Sequence, residues 1–253
     1  MITILEGSPG HGKTYTLIKI IIDTVHGGEP VATNVPLRAE WPEVMAKHFT
    51  LFSRFRTETV ARKAAEYRRM VFVSEDMNDL MRVRLSGTKE GRGKLIIDES
   101  HREMNTRTLR DANRKAVVNH LSGHRHYGWD VILATQDKGN IDTQIRGLYE
   151  FESVVRNFKR MPWAPIWFNL FLRVTRWNDK KKTKAGVTIY GLSKSIARLY
   201  DTHALEHKDW PENAIVLPFP HWSVEADGLI AAAKQHTRAR SVLAYLSSCE
   251  SAL

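Results

Sequence analysis

The stretch Gly7-Ser8-Pro9-Gly10-His11-Gly12-Lys13-Thr14 matches the pattern G-x-x-x-x-G-K-[ST] in full. Glycines in such a stretch permit the tight turns that bring backbone N–H groups against phosphate oxygens. The lysine supplies a positive charge to the β- and γ-phosphates, and the threonine hydroxyl can ligate Mg²⁺. We therefore predict a P-loop that binds ATP and Mg²⁺, formed by Gly7, Ser8, Pro9, Gly10, His11, Gly12, Lys13, Thr14 and Tyr15.

The residues on both sides of this loop fit the structure that the motif requires. Ile2-Thr3-Ile4-Leu5 is a short β-prone run, and residues 16–22 are mostly apolar and contain no proline. These flanks predict a strand before the loop and a helix after it, and the positive N-terminal end of that helix adds to the anion site. A glycine turn that fits the pattern by chance is the alternative, and the two flanks argue against it.

Apolar strands alternate with helices along the first 150 residues. Beyond the loop, the sequence predicts strands at 30–35, 70–73, 95–100 and 130–135, and helices at 57–69, 76–85 and 111–122. Asp111 is the predicted cap of the last of these helices, and residues 86–93 are predicted to form a flexible cationic loop. The alternation predicts an α/β fold with a mostly parallel sheet and helices on both faces.

The pattern changes after about residue 150. Strands are predicted at 151–158, 168–177 and 187–192, and the charged turn at 178–184 would join the last two into a β-hairpin with a basic tip. Residues 224–247 have the pattern of an amphipathic helix. We therefore predict a P-loop NTPase core over residues 1–160, and an appendage of hairpin and C-terminal helix over residues 161–253.

Composition restricts the classes of protein to which this chain can belong. It has 253 residues, a formal net charge of +10 and one cysteine, Cys249, so neither a disulfide within the chain nor a cysteine-based metal site can form. The lack of disulfides suits a reducing compartment. The positive charge favours polyanions such as nucleic acid or anionic lipid headgroups, and a solvated basic surface without a ligand is the alternative.

Hydropathy predicts no membrane-spanning segment. Residues 163–172 are the most apolar later stretch, but they are half of the ~20 residues needed to span a bilayer, and Pro165 and Asn169 interrupt them. We read this stretch as buried or interfacial. Met1 leads directly into the first strand, so we expect no signal peptide. The expected location is the cytoplasm.

Two acids follow the strand that ends near residue 97. In Leu95-Ile96-Ile97-Asp98-Glu99-Ser100 the pattern is that of a Walker B strand, with Asp98 as the Mg²⁺ ligand and Glu99 as the group that polarises the attacking water. We expect this strand to lie beside the P-loop strand, so that both carboxylates reach the edge where ligands bind. Ordinary surface acids are the alternative.

Three further polar residues have alternative interpretations. Gln136 ends the next strand, where its amide could bond the γ-phosphate or the attacking water, or simply cap the strand. Arg146 could act as an arginine finger in a neighbouring subunit, although a surface salt bridge is the commoner role of an arginine. His120 and His124 have a metal-ligand spacing but no acid at matching spacing, so a structural or intersubunit role for them and Arg125 is favoured.

The segment at 121–136, Leu-Ser-Gly-His-Arg-His-Tyr-Gly-Trp-Asp-Val-Ile-Leu-Ala-Thr-Gln, resembles the signature of the zonular occludens toxin (Zot) family. So do Ile141-Asp142 and Ile145-Arg146. The resemblance covers roughly residues 1 to 160. This family includes assembly ATPases of filamentous phages and is related to the FtsK–HerA group of DNA-translocating ATPases. The resemblance implies an additional-strand ATPase core that assembles as a homo-oligomeric ring, of which a hexamer is one form.

The resemblance also implies a function and roles for individual residues. ATP hydrolysis would drive assembly or extrusion of phage around its DNA, with phage DNA or a DNA–protein filament and other phage assembly proteins as partners. Lys13 and Thr14 would bind phosphate and Mg²⁺, Asp98 would coordinate Mg²⁺, Glu99 would activate water and Gln136 would sense phosphate. Arg125 or Arg146 would be the arginine finger. Basic loops at Lys89, Arg92 or 180–184 are candidates for contacting DNA.

Phage assembly proteins of this family typically carry a transmembrane helix after the ATPase domain, and none is visible here. Either this chain is the cytoplasmic portion only, or a partner supplies the anchor. The expected location is the cytoplasm, with the inner face of the inner membrane as one site, and peripheral association would run through a partner or through residues 163–172. Alternatives are a soluble ATPase that packages DNA into a capsid, and a nucleotide-gated assembly scaffold without rapid turnover. A toxin acting on host cells has no support from these residues.

Overall fold

A computed structural model describes residues 1–85, 91–102, 104–105, 111–160, 169–178 and 183–200, with the side chains of 111–113 excepted. Its strands are β1 (Ile2–Glu6), β2 (Val31–Thr33), β3 (Val71–Val73), β4 (Gly93–Ile97), β5 (Trp129–Thr135), β6 (Phe151–Asn157), β7 (Leu170–Trp177) and β8 (Lys184–Gly191). Its α-helices are α1 (Lys13–His26), α2 (Trp41–His48), α3 (Thr57–Met70), α4 (Met77–Arg82), α5 (Asp111–Ser122), α6 (Thr143–Arg146) and α7 (Lys194–Ala197).

The eight strands form one sheet in the order β3-β2-β4-β5-β1-β6-β7-β8. The first six in that order are parallel to one another, and β7 and β8 continue the sheet as an antiparallel hairpin. The prediction that the Walker B strand lies beside the P-loop strand is wrong, because β5 lies between β4 and β1. The additional-strand core that the resemblance implied is the arrangement observed.

Alternating side chains of the central strands pack into two cores, one on each face of the sheet. Leu5 and Ile132 face the core that contains α1, α2 and α3. Ile4 and Leu133 face the core that contains α4, α5 and α6. Because strands buried on both faces contribute side chains to both cores, they read as continuous apolar runs in the sequence.

The hairpin of β7 and β8 packs against the first turn of α1. The Tyr15 ring stacks on Phe171 with centroids 5.0 Å apart. Its hydroxyl donates to the Gly191 carbonyl (2.9 Å) and accepts from the Ser193 amide (2.8 Å). The hairpin also belongs to the same sheet as the P-loop strand. The predicted domain boundary at residue 160 stays a prediction.

Most predicted elements are present, and the differences have physical causes. The helix predicted at 111–122 is observed with the same bounds, so Asp111 is its first residue and not the residue that precedes it. No helix was predicted between β2 and α3, yet the structure has α2 there, because Trp41 and Met45 are buried against the core. Several predicted features lie outside the described residues: the helix at 224–247, the apolar residues 163–168, residues 86–90 of the cationic loop, including Lys89, and residues 179–182 of the charged turn.

The two histidines with metal-ligand spacing have structural contacts. His124 accepts a hydrogen bond at Nε2 from the Met1 amino group (2.8 Å), so its Nδ1 carries the hydrogen and donates to the Leu121 carbonyl (2.7 Å). The His120 ring stacks on Tyr127 with centroids 4.7 Å apart. Burial, together with the nearby positive charge of Arg84, lowers the pKa of His120 to about 4. His120 is therefore neutral in the folded protein at neutral pH.

This burial makes stability depend on pH in a defined window. His120 has a pKa of about 4 when folded and 6.5 as an ordinary histidine, so only the unfolded chain takes up a proton as the pH falls between these values. The contribution of neutral His120 to the free energy of unfolding is fully present above pH 6.5. As the pH falls towards 4, the free energy of unfolding decreases by about 3 kcal/mol. Urea unfolding of the wild type and His120→Phe across this range should show a shallower loss in the variant. Equal slopes would contradict this assignment.

Candidate nucleotide-binding site

The carboxyl ends of four parallel strands bring the predicted site residues together. The P-loop follows β1, Asp98 and Glu99 follow β4, Gln136 follows β5, and Asn34 follows β2. In a parallel sheet these ends share one edge, where ligands bind in open α/β folds. The topology therefore assembles into one place residues that are far apart in the sequence.

The P-loop has the backbone that a phosphate-binding loop requires. Gly10 and Gly12 have φ values of 75° and 87°, in the left-handed region that favours glycine, and Gly12 is the residue before α1. A Cβ at Gly12 would lie 2.3 Å from the Phe171 ring, so packing as well as conformation requires glycine there. Lys13 begins α1 and is only 6% exposed.

A hydrogen bond joins the P-loop to the end of β4. The Thr14 hydroxyl donates to Asp98 Oδ2 at 2.9 Å, across the width of β5. Burial raises the pKa of Asp98, the bond from Thr14 acts to lower it, and the charge of Glu99 raises it further. A buried carboxylate oxygen beside a hydroxyl oxygen is the kind of ligand pair that Mg²⁺ prefers, so these two residues fit the cation predicted from the sequence.

Asn34 fixes the backbone at this point, and the sequence analysis did not identify that role. Its side-chain amide donates to the Asp98 carbonyl (2.9 Å), and its oxygen accepts from the Asp98 amide (2.7 Å). The signal that could have found it is an asparagine directly after a buried strand of a parallel sheet. Asn34 therefore holds the β4 end in position from the neighbouring strand β2.

Glu99 and Gln136 are neighbours in the structure, as their predicted roles require. Gln136 Nε2 lies 3.5 Å from Glu99 Oε2, and His101 Nδ1 lies 3.3 Å from the same oxygen. Glu99 has a φ of 49°, a left-handed conformation that is unfavourable for a residue with a side chain. Such strain is often retained where a side chain must point into a site.

A second basic group reaches the P-loop from the far end of β6. Arg160 Nη1 donates to the Pro9 carbonyl at 2.8 Å, and its guanidinium fills the space where a Cβ on Gly10 would lie. Burial lowers the pKa of His11, and the positive charge of Arg160 lowers it further. Arg160 was not predicted as a site residue. The available signal was its position shortly after β6, because the carboxyl ends of parallel strands lie where ligands bind.

A cavity of about 390 Å³ opens beside the P-loop between β1 and β6. This volume lies within the range of ligand-binding pockets, roughly 300–1,000 Å³. The cavity joins P-loop residues to Gln136 and to the basic end of β6, and its lining is Glu6, Gly7, Ser8, His11, Gln136, Val154, Val155, Arg156, Asn157 and Arg160.

Three residues predicted for the site lie elsewhere in the fold. The Tyr15 ring is 2% exposed and packs in the core, so only its backbone faces the loop. Arg125 precedes β5 and pairs at 2.8 Å with Glu150, which precedes β6. This pair lies at the amino ends of the strands, opposite the P-loop. Arg146 ends α6 and donates to the Thr143 hydroxyl at 3.3 Å.

No helix within the described part of the chain is long and apolar enough to cross a membrane.

Comparison with known proteins gives several matches. Gene 1 protein of Enterobacteria phage I2-2 is 29% identical over 143 residues, which cover 56% of this chain and 36% of that protein. Gene 1 protein of Enterobacteria phage fd is 28% identical over 204 residues, which cover 77% of this chain and 54% of that protein. The matched part of this chain thus spans about a third to a half of the length of these relatives.

The fold has solved counterparts, and one family model covers most of the chain. A DnaB-like replicative helicase superposes with a TM-score of 0.52 at 11% identity, over 79% of this chain and 57% of that one, and it shares the fold. The family model for zonular occludens toxin (Zot) matches residues 1–204. The sheet order, the phosphate-loop site and this match lead to one conclusion: the chain belongs to the Zot family.

Proposed function

We propose that this protein is an ATP-hydrolysing motor for phage morphogenesis, which drives assembly or extrusion of virions around phage DNA. The observation that carries the proposal is the joining of Thr14, Asp98, Glu99 and Gln136 at one P-loop. Membership of the Zot family and similarity to phage gene 1 proteins support the phage context. The P-loop alone would support only nucleotide binding.

Each residue of the site has a proposed role in this reaction. The P-loop amides and Lys13 hold the phosphates, and Thr14 and Asp98 hold Mg²⁺. When bound, Mg²⁺ neutralises charge that develops on the transferring phosphoryl group. Glu99 accepts a proton from the attacking water, and Gln136, 3.5 Å away, orients that water against the γ-phosphate.

The proposal includes an assembly and a location. We propose a homo-oligomeric ring, a hexamer being one form, in which Arg125 or Arg146 of one subunit reaches the phosphates of its neighbour. In its own subunit Arg125 pairs with Glu150, and Arg146 donates to the Thr143 hydroxyl. The proposed location is the host cytoplasm at the inner face of the inner membrane, with other phage assembly proteins as partners.

ATP turnover with and without DNA tests the motor directly. We expect ATPase activity that DNA stimulates, because the net charge of +10 favours binding of polyanions, and testing both single- and double-stranded DNA identifies which form stimulates it. The stimulation should weaken as salt rises from about 50 to 200 mM, since phosphate contacts release counterions. Stimulation by double-stranded DNA alone would favour the capsid-packaging alternative. A wild-type protein without any turnover would exclude the motor and favour the nucleotide-gated scaffold.

Glu99→Gln separates hydrolysis from binding. We expect kcat to fall by about 100-fold or more, because a positioned general base contributes that much, while the Kd for ATP stays near the wild-type value. Glu29→Gln is the matched control, since Glu29 pairs with Lys94 outside the site and should leave both quantities unchanged. Wild-type turnover in Glu99→Gln would rule out the base role of Glu99 while leaving ATP binding intact.

We also propose that Arg160 acts on the phosphates of its own subunit. Its guanidinium lies against the P-loop and could exchange the Pro9 carbonyl for a phosphate oxygen. Arg160→Gln should weaken ATP binding by about tenfold, the value of one charge-assisted hydrogen bond, and weaken ADP binding less. Lys159→Gln, an exposed neighbour of equal charge, is the control for titration calorimetry. Equal losses in the two variants would mean a general charge effect.

A further inference from the structure

Residues 51–56, Leu-Phe-Ser-Arg-Phe-Arg, form an exposed segment between α2 and α3 that the nucleotide site does not use; we call it the aromatic tip. Its three large apolar side chains are Leu51, Phe52 and Phe55, which are 73%, 66% and 86% exposed. They are the most exposed large hydrophobic side chains of the described residues. A cluster of exposed apolar side chains on a folded domain marks an interaction site.

The tip is a defined turn on a packed base. Phe52 has a φ of 57°, and its carbonyl accepts from the Phe55 amide at 2.9 Å. A left-handed conformation is unfavourable for a residue with a large side chain. Just before the tip, Phe49 stacks on His26 with ring centroids 3.8 Å apart. The backbone therefore holds these side chains outward. Within the described residues they are too exposed for burial to compensate for the strain at Phe52.

The side chains that carry a fixed charge within residues 44–57 are all cationic: Lys47, Arg54 and Arg56. Glu43 and Glu58 flank this range. Arg54 and Arg56 are exposed and flank Phe55 directly. The tip therefore combines an apolar point with adjacent cations, which complements a surface that is apolar inside and anionic outside.

We propose that the aromatic tip inserts into the interface of an anionic membrane. Leu and Phe side chains partition into the boundary of headgroups and acyl chains, and adjacent arginines bind the phosphates of anionic lipids. This inference goes beyond the proposed motor function and would hold for any activity of the site. It gives the chain a membrane contact of its own, apart from any spanning helix.

Single-stranded DNA is the competing ligand for aromatic and basic residues, and the tip suits it less well. Sites for single strands combine a groove that follows the backbone with aromatic faces on which bases stack. Side chains that are two-thirds or more exposed, as Leu51 and Phe55 are, lie on a convex point and not in a groove. Leu51, moreover, has no aromatic face on which a base could stack.

Vesicle flotation of the full chain tests the proposal. The probes are vesicles of phosphatidylethanolamine with phosphatidylglycerol, and vesicles of phosphatidylcholine alone. The wild type should bind the anionic vesicles, and the double variant Leu51→Gln/Phe55→Gln should bind them about tenfold more weakly, because the apolar contact is lost. Arg54→Gln/Arg56→Gln should lose most of the preference for anionic over neutral vesicles.

Matched controls make each outcome decisive. Val187→Gln/Ile189→Gln changes exposed apolar residues of β8, 44% and 58% exposed, and should bind vesicles like the wild type. All variants should retain wild-type ATP binding, which reports the folded core. A wild type that does not bind anionic vesicles, or tip variants that bind them unchanged, would overturn the proposal. Loss of single-stranded DNA binding or of self-association in the tip variants, with vesicle binding intact, would assign the tip to those ligands instead.

Discussion

The hydrogen bond from the Thr14 hydroxyl to the buried Asp98 carboxylate is the constraint on which the site depends. A buried carboxylate is costly unless it is paired, and this one receives its partner from a loop on a strand two positions away in the sheet. The bond is made only if β4, β5 and β1 keep their register. Asn34, directly after β2, fixes the same point through two further hydrogen bonds. The catalytic edge is thus held by four adjacent strands.

The hairpin of β7 and β8 is tied to the same loop from the other side. Phe171 fills the space over Gly12, and Tyr15 carries the contact on through its stack with Phe171 and its bonds to Gly191 and Ser193. The hydroxyls of Thr16 and Tyr190 also meet. Because packed aromatic rings have few alternative arrangements, a shift of the P-loop must be accompanied by a shift of the hairpin.

The sequence predicted what is encoded locally. The P-loop, the apolar strand before Asp98 and the end of β5 at Gln136 each carry their signal within a few residues, and the parallel sheet follows from their alternation. The strand patterns did not predict that β5 separates β4 from β1, because strand order depends on contacts between distant residues; only the family resemblance implied this arrangement. It missed Arg160 and Asn34 for the same reason: their roles arise from partners 151 and 64 positions away. The exposed tip of Leu51 to Arg56 was not predicted either.

Arg160 contacts the P-loop and, in the chain, lies before the hairpin of β7 and β8. It follows β6, lies against the P-loop through the Pro9 carbonyl, and precedes β7 in the chain. Phe171 would register any movement of Gly12 directly, because its ring fills the space over that glycine. Packing therefore ties the P-loop directly to the hairpin, whereas β3 lies at the far side of the sheet.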